Sequence, residues 1–137
     1  MVGVDPQVLK SISFFSDLSD EDLKVLAARA AEASVGEDRE IVREGDYSYD
    51  FFIIQEGKAS VRQDGKEIAE LGPGEVFGEA GVMERSLRNA TVVSKTPMRL
   101  VTFTHWDLDH LRRQIPQVIE RLEKAFSEHQ SDGSAPG

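Results

Sequence analysis

The placement of glycine constrains this chain more than any other feature. Eight of its eleven glycines fall between Gly36 and Gly81, separated by short apolar runs. Glycine adopts the backbone conformations of tight turns at no steric cost. Short apolar runs punctuated this way read as strands joined by turns.

The runs can be followed one by one. Phe51-Phe52-Ile53-Ile54 is a candidate buried strand, closed by Glu56-Gly57. Ala59, Val61 and Gln63 alternate with Lys58, Ser60 and Arg62, the pattern of a half-buried strand. Asp64-Gly65 supplies the two positive-φ positions of a type I′ hairpin. Ile68 and Leu71 follow, and Gly72-Pro73-Gly74 ends that strand. Ala90 to Val93 and Met98 to Phe103 are two more strands, joined by a turn at Lys95-Thr96-Pro97.

Helical signals flank this region. Asp5 to Ala31 reads as helical, with Ser19-Asp20-Glu21-Asp22 as a capping box and Leu18 and Leu23 at the staple positions. Leu23, Leu26, Ala27 and Ala30 form its apolar face. Thr104-His105-Trp106-Asp107 repeats the capping logic, with Phe103 and Leu108 as its staple. That helix should run to about Arg113, and its start favours a core position for Trp106 over a stacking platform. Pro116 suits the first position of a further helix. Ile115, Val118, Ile119, Leu122 and Phe126 mark one face of it. About eight short strands with helices at both ends predict an α+β chain, an eight-stranded antiparallel β jelly roll between N-terminal and C-terminal helices.

Composition narrows the function classes. A net charge of −9 without a basic stripe argues against nucleic acid and anionic membrane surfaces. The absence of cysteine removes disulfides, thiol catalysis and cysteine-ligated metals. No apolar run approaches the roughly 20 residues that span a bilayer, so no direct membrane insertion is expected. Met1 to Lys10 lacks the pattern of a secretory signal, which makes a cytoplasmic location the expectation. His105, His110 and His129 all lie in the C-terminal helical region, whereas a jelly-roll metalloenzyme needs histidines on its strands. The chain is therefore read as no enzyme, with no cofactor and no metal.

One segment offers ligand chemistry, Phe77 to Val92. A strand ends at Phe77, and Gly78 permits close approach of a ligand to the backbone. Glu79 to Met83 suits one turn of helix, whose free N–H groups favour a phosphate. Arg88 follows nine residues after Glu79. Its guanidinium matches two phosphate oxygens, and an ionised Glu79 accepts from a sugar hydroxyl. A phosphate clamp beside a ribose hook is what a nucleotide monophosphate requires.

This segment resembles the phosphate-binding cassette of cyclic nucleotide-binding domains, the modules of protein kinase A regulatory subunits, the catabolite activator protein and cyclic-nucleotide-gated channels. The matching points are Phe77, Gly78, Glu79, Arg88, Ala90, Thr91 and Val92. Ile41 to Asp46, with its Gly45-Asp46 turn, and Phe52 through Gly57 resemble the family's neighbouring strands. The resemblance covers about residues 12–126, within an expected domain at 1–130 and a disordered tail at 131–137.

The resemblance implies roles. Glu79 would accept from the ribose 2′-hydroxyl and Arg88 would pair with the cyclic phosphate. The N–H groups of Ala80 and Ala90 would add phosphate contacts, Gly78 would lie against the ribose, and Asn89 would reach the phosphate or purine. Val61, Leu71 and Glu123 are the candidate contacts for the base, Glu123 from a final helix acting as lid over the pocket. Ala80, Gly81 and Asn89 depart from the usual residues. Asn89 stands where cAMP binders often carry Ala and good cGMP binders Thr or Ser, so both nucleotides stay open, cAMP ahead. The expected partners are the nucleotide and an effector domain or protein outside this chain. The alternative is a ligand-free interaction module of the same fold; a piece of a DNA-binding activator is opposed by the acidic balance.

Overall fold

A computed structural model describes residues 3–12, 15–46, 50–77 and 90–131, with the side chains of Leu122 and residues 125–131 left aside. Helix α1 covers Pro6–Lys10 and α2 covers Asp20–Arg29. Eight strands follow among the described residues: β1 Ala31–Val35, β2 Glu40–Val42, β3 Asp50–Glu56, β4 Ala59–Gln63, β5 Lys66–Leu71, β6 Val76–Phe77, β7 Thr91–Ser94 and β8 Met98–Thr104. Two helices come last among the described residues, α3 at His105–Gln114 and α4 at Pro116–Ser131.

All strand pairs are antiparallel and form two four-stranded sheets, ordered β1-β8-β3-β6 and β2-β7-β4-β5. The pairs β1·β8, β2·β7, β3·β6 and β4·β5 nest inside one another, as in a hairpin ribbon rolled up on itself. This is the expected jelly roll. The tip of the ribbon is the β4–β5 turn, where Asp64 has φ 53° and Gly65 φ 80°, the two left-handed residues of a type I′ turn.

The first sheet is covered on both faces. Along β3, Phe51 and Ile53 point into a core shared with the helices, while Ile54 joins a second core between the sheets. Along β8, Val101 and Phe103 take the helical side and Met98 and Leu100 the inter-sheet side. Strand side chains alternate faces, so a strand buried on both sides needs the unbroken apolar run seen at Phe51 to Ile54. Phe103 stacks on Phe51 at 5.3 Å and meets Phe15 edge-on at 6.5 Å, which ties the helical layer to this sheet.

The helix signals hold at their starts. Ser19 Oγ accepts from the Asp22 N–H at 3.1 Å. Thr104 forms the full capping box: its Oγ1 accepts from the Asp107 N–H at 3.1 Å, and Asp107 Oδ2 accepts from the Thr104 N–H at 2.9 Å. The staple residues Phe103 and Leu108 are both buried in the helical core. Pro116 opens α4, and Ile115, Val118 and Ile119 are buried where the spacing placed them.

Several expectations need correction. The stretch from Asp5 to Ala31 is not one helical section: α1 ends at Lys10, α2 begins at Asp20, and Ala31 opens β1. That strand has the composition of a helix, Ala-Glu-Ala-Ser-Val, and is held extended by pairing from Ala31↔Thr102 to Val35↔Met98. Trp106 is no core residue. It is 61% exposed and lies against His105, with ring centroids 3.8 Å apart. Strand β4 is more than half-buried, because Ser60 is enclosed with Ala59 and Val61, and its hydroxyl accepts from Arg62 Nε at 3.0 Å. Helix α4 runs through Ser131, so the start of the expected tail is helical; residues 132–137 lie outside the described residues.

On the second sheet, Lys95 reaches Glu70 at 2.6 Å and Glu67 at 3.2 Å. Glu67 is held below the usual carboxylate range by the Ser60 hydroxyl and by Lys95, and Glu70 by Lys95; the same pairings raise Lys95.

Ser94 fastens the loop between β1 and β2. It is fully buried, accepts from the Arg39 N–H at 2.8 Å and donates to the Gly36 carbonyl at 2.6 Å. Ser94→Ala strands both backbone groups and should cost about 1–3 kcal/mol. Urea unfolding should show a lower midpoint at unchanged slope; an unchanged midpoint would mean that water replaces the hydroxyl.

Candidate functional site

The segment that carries ligand chemistry joins β6, in the first sheet, to β7, in the second. Gly78, Glu79, Ala80, Arg88 and Asn89, together with the short helix expected at 79–83, lie outside the described residues. The structure does describe the two points from which the segment leaves and to which it returns.

The departure point is Phe77. Strand β6 pairs with β3 through Phe52↔Phe77 and Ile53↔Val76. The Phe77 ring is fully buried and stacks on Phe52 at 5.0 Å with planes 18° apart. Such a pair adds to its area burial by about 0.5–1.5 kcal/mol. The return point is Ala90, also fully buried, leading into β7. That strand is flanked on both sides, by β2 through Val42↔Val92 and by β4 through Val61↔Val92. Thr91 adds a further tie, since its Oγ1 accepts from the Glu44 N–H at 3.0 Å beyond β2.

Phe77 and Ala90 belong to one apolar cluster between the sheets, and Val61 and Leu71 belong to the same cluster. Four of the residues singled out in the sequence are therefore gathered by the fold, although they come from β6, β4, β5 and the approach to β7. Val61 and Leu71 are 0% and 1% exposed, so in this arrangement they form the wall of the cluster and present no free surface.

Glu123 is placed differently. It sits on α4, and its carboxylate meets Arg112 of α3 at 3.1 Å, with both side chains partly exposed. The buried residues Val118 and Ile119 of the same helix join the helical core on the far face of the first sheet from the inter-sheet cluster. Arg121 of α4 pairs with Asp17, in the loop before α2, at 3.2 Å. The described part of α4 is thus secured to the helical layer by apolar packing and two ion pairs. Sequence reasoning did not find these pairs, because Arg121 and Asp17 are 104 positions apart.

No group of three or more His, Asp or Glu residues suited to a metal ion occurs among the described residues. No helix among them is long and apolar enough to cross a membrane.

Comparison with known proteins gives the arrangement its context. Residues 32–114 match the family model described as "Cyclic nucleotide-binding domain". The chain is 39% identical over 64 residues, 46% of its length, to a cAMP-dependent protein kinase regulatory subunit of Schizosaccharomyces pombe, of which the match covers 16%. It is 30% identical over 115 residues, 84% of its length, to a cGMP-dependent protein kinase of Eimeria tenella, of which the match covers 12%. The chain thus spans a small part of these curated relatives. Among solved structures, the N-terminal domain of a transcriptional regulator from Streptomyces coelicolor A3(2) superposes with a TM-score of 0.74 at 27% identity, covering 92% of this chain and 94% of that one. The matched span runs from β1 through α3 and encloses the whole segment between Phe77 and Ala90, with both strands that anchor it; the chain belongs to the cyclic nucleotide-binding domain family.

Proposed function

We propose that this chain is a non-catalytic regulatory module that binds a cyclic nucleotide monophosphate at the segment between β6 and β7. Arg88 pairs with the cyclic phosphate and Glu79 accepts from the ribose 2′-hydroxyl. The N–H groups of Ala80 and Ala90 complete the phosphate contacts, Gly78 lies against the ribose, and Asn89 reaches the phosphate or purine. The observation that carries this reading is the family match over residues 32–114, which encloses Glu79 and Arg88. Support also comes from the fixed ends, since Phe77 and Ala90 are locked in one core and hold the segment at both sides.

Binding acts as a switch. Leu108 and Leu111 of α3 pack in the helical core with Ile115, Val118 and Ile119. Phosphate binding draws the segment inward, these residues repack, and α4 moves toward the base. For Glu123 to reach a base it must leave Arg112, now 3.1 Å away. The nucleotide drives this only through its differential affinity for the two arrangements. An effector domain or protein outside this chain reads the change.

The nucleotide favoured is cAMP, because Asn89 lacks the hydroxyl that good cGMP binders carry at that position; cGMP is the second candidate. Isothermal titration calorimetry with each nucleotide tests both levels. Saturable heat with cAMP at lower concentration than cGMP is expected. The reverse order would overturn the base assignment, and no heat with either at high concentration would overturn the binding reading in favour of an interaction module.

A further inference from the structure

A groove of about 370 Å³ lies between α2 and α3, apart from the segment discussed above. Lys24, Val25, Ala28 and Arg29 line it from α2, and His110 and Gln114 from α3. Its volume is in the range of sites that hold a small ligand or a few residues of a peptide.

The charge of this groove runs against that of the molecule. The chain carries −9 overall, and six of its fourteen described lysines and arginines are tied to acids: Arg43 to Glu40, Lys58 and Lys95 to Glu70, Arg99 to Glu32, Arg112 to Asp109 and Glu123, and Arg121 to Asp17. Lys24, Arg29 and His110 have no ion pair among the described residues. Three basic side chains thus line one groove whose described lining contains no acid. Of the nearby acids, Asp109 is held by Arg112 at 3.0 Å, and Asp20 and Glu21, one turn before Lys24 on α2, do not line the groove. At physiological salt the Debye length is about 8 Å. An acidic partner therefore feels this local cluster more than the net charge.

The spacing selects the kind of anion. Lys24 and Arg29 lie five positions apart on α2, about 7.5 Å along its axis at 1.5 Å per residue, with Val25 and Ala28 between them. His110 and Gln114 are one helical turn apart on the facing wall. One compact anion would answer a convergent cluster. Cations spread along a groove with a small apolar floor suit an extended segment with several carboxylates and small side chains between them.

We propose that the α2–α3 groove docks an acidic peptide segment of a partner protein, with Lys24, Arg29 and His110 pairing with its carboxylates and Gln114 bonding its backbone. The site is independent of the nucleotide reading. A partner seated there would touch α3 directly, the helix whose Leu108 and Leu111 pack into the helical core.

The test is an NMR titration of the isotope-labelled chain with a short synthetic peptide alternating glutamate and alanine. Saturable shifts should gather at Ala28, Arg29, His110 and Gln114, and binding should weaken as salt is added. The double variant Lys24→Glu, Arg29→Glu should bind roughly tenfold more weakly or worse. Since Arg29 lies in the last turn of α2, where a carboxylate opposes the helix dipole, the milder Lys24→Gln, Arg29→Gln pair serves if the reversal unfolds the chain. Shifts scattered elsewhere, no shifts, or variants that bind as the parent does would overturn the proposal. So would an equal response to a lysine–alanine peptide, or equal competition by inorganic phosphate or an oligonucleotide.

Discussion

Gly57→Ala should lower the thermal unfolding midpoint by on the order of 10–20 °C, corresponding to about 2–5 kcal/mol in a domain of this size. Gly57 closes the turn between β3 and β4 with φ +97°. A side chain there first incurs the left-handed penalty of about 1–2 kcal/mol. It then meets atoms that cannot step aside. A Cβ would lie 2.5 Å from the Pro97 carbonyl oxygen, 2.8 Å from Met98 Cγ and 3.0 Å from Met98 Cα. Overpacking of this kind costs about 1–3 kcal/mol more.

The backbone cannot relieve the contact cheaply, because this turn is clamped to the one between β7 and β8. The Lys95 N–H donates to the Lys58 carbonyl at 2.9 Å, and the Lys58 N–H donates to Thr96 Oγ1 at 3.0 Å. Met98 itself is buried between the sheets. The control is Gly65→Ala. Gly65 has φ +80° but nothing within 4 Å of a new Cβ, so only the backbone penalty of about 1–2 kcal/mol applies. Parallel unfolding curves separate the two costs. Equal losses at Gly57 and Gly65 would mean that the turns part without resistance.

Arg88→Ala should weaken cyclic nucleotide binding by about 2–5 kcal/mol, roughly 30-fold or more, while leaving the unfolding midpoint of the nucleotide-free chain nearly unchanged. The expectation rests on the proposed pairing of Arg88 with the cyclic phosphate. A desolvated phosphate that loses a cationic partner bears most of the cost. Arg88→Lys should fall between parent and alanine variant, because an ammonium keeps the charge but lacks the planar fork that engages two oxygens. Calorimetry on the three proteins decides it: an alanine variant with parental affinity would remove Arg88 from the clamp, and a lysine variant equal to the alanine variant would show that fork geometry, not charge, does the holding. The family membership would survive either result, since it rests on the match over residues 32–114.

Much of the architecture is legible in the sequence, and for a common reason. Asp64-Gly65, Thr104 to Asp107 and Pro116 are each decided by chemistry within three or four residues: a left-handed turn, a hydroxyl and a carboxylate trading backbone hydrogens, a ring with no N–H to give. The run Phe51 to Ile54 was legible because a strand covered on both faces has nowhere to put a polar residue. Phe77 and Ala90 could be picked out because the pattern of residues between them is chemically particular.

What local chemistry could not decide was set by partners far along the chain. Ala31 to Val35 favours helix by composition and becomes strand because β8, some 65 positions away, offers it a row of hydrogen bonds. Trp106 occupies a capped helix start that would serve either burial or exposure, and only the packing of α3 through Leu108 and Leu111 turned it outward. Val61 and Leu71 could be proposed as neighbours of Phe77, but it took the rolled ribbon to bring β4, β5 and β6 to one cluster. Glu123 carries no mark of its attachment to Arg112, nor Lys24 and Arg29 of a shared groove with His110, because a charge reveals its partner only once the helices are set side by side. By itself the sequence determined turns, caps, apolar faces and the residue pattern of the cassette, all effects of short range. The tertiary structure alone decided strand pairing, burial and charge pairing, since each depends on which distant surfaces the fold brings within a few ångströms.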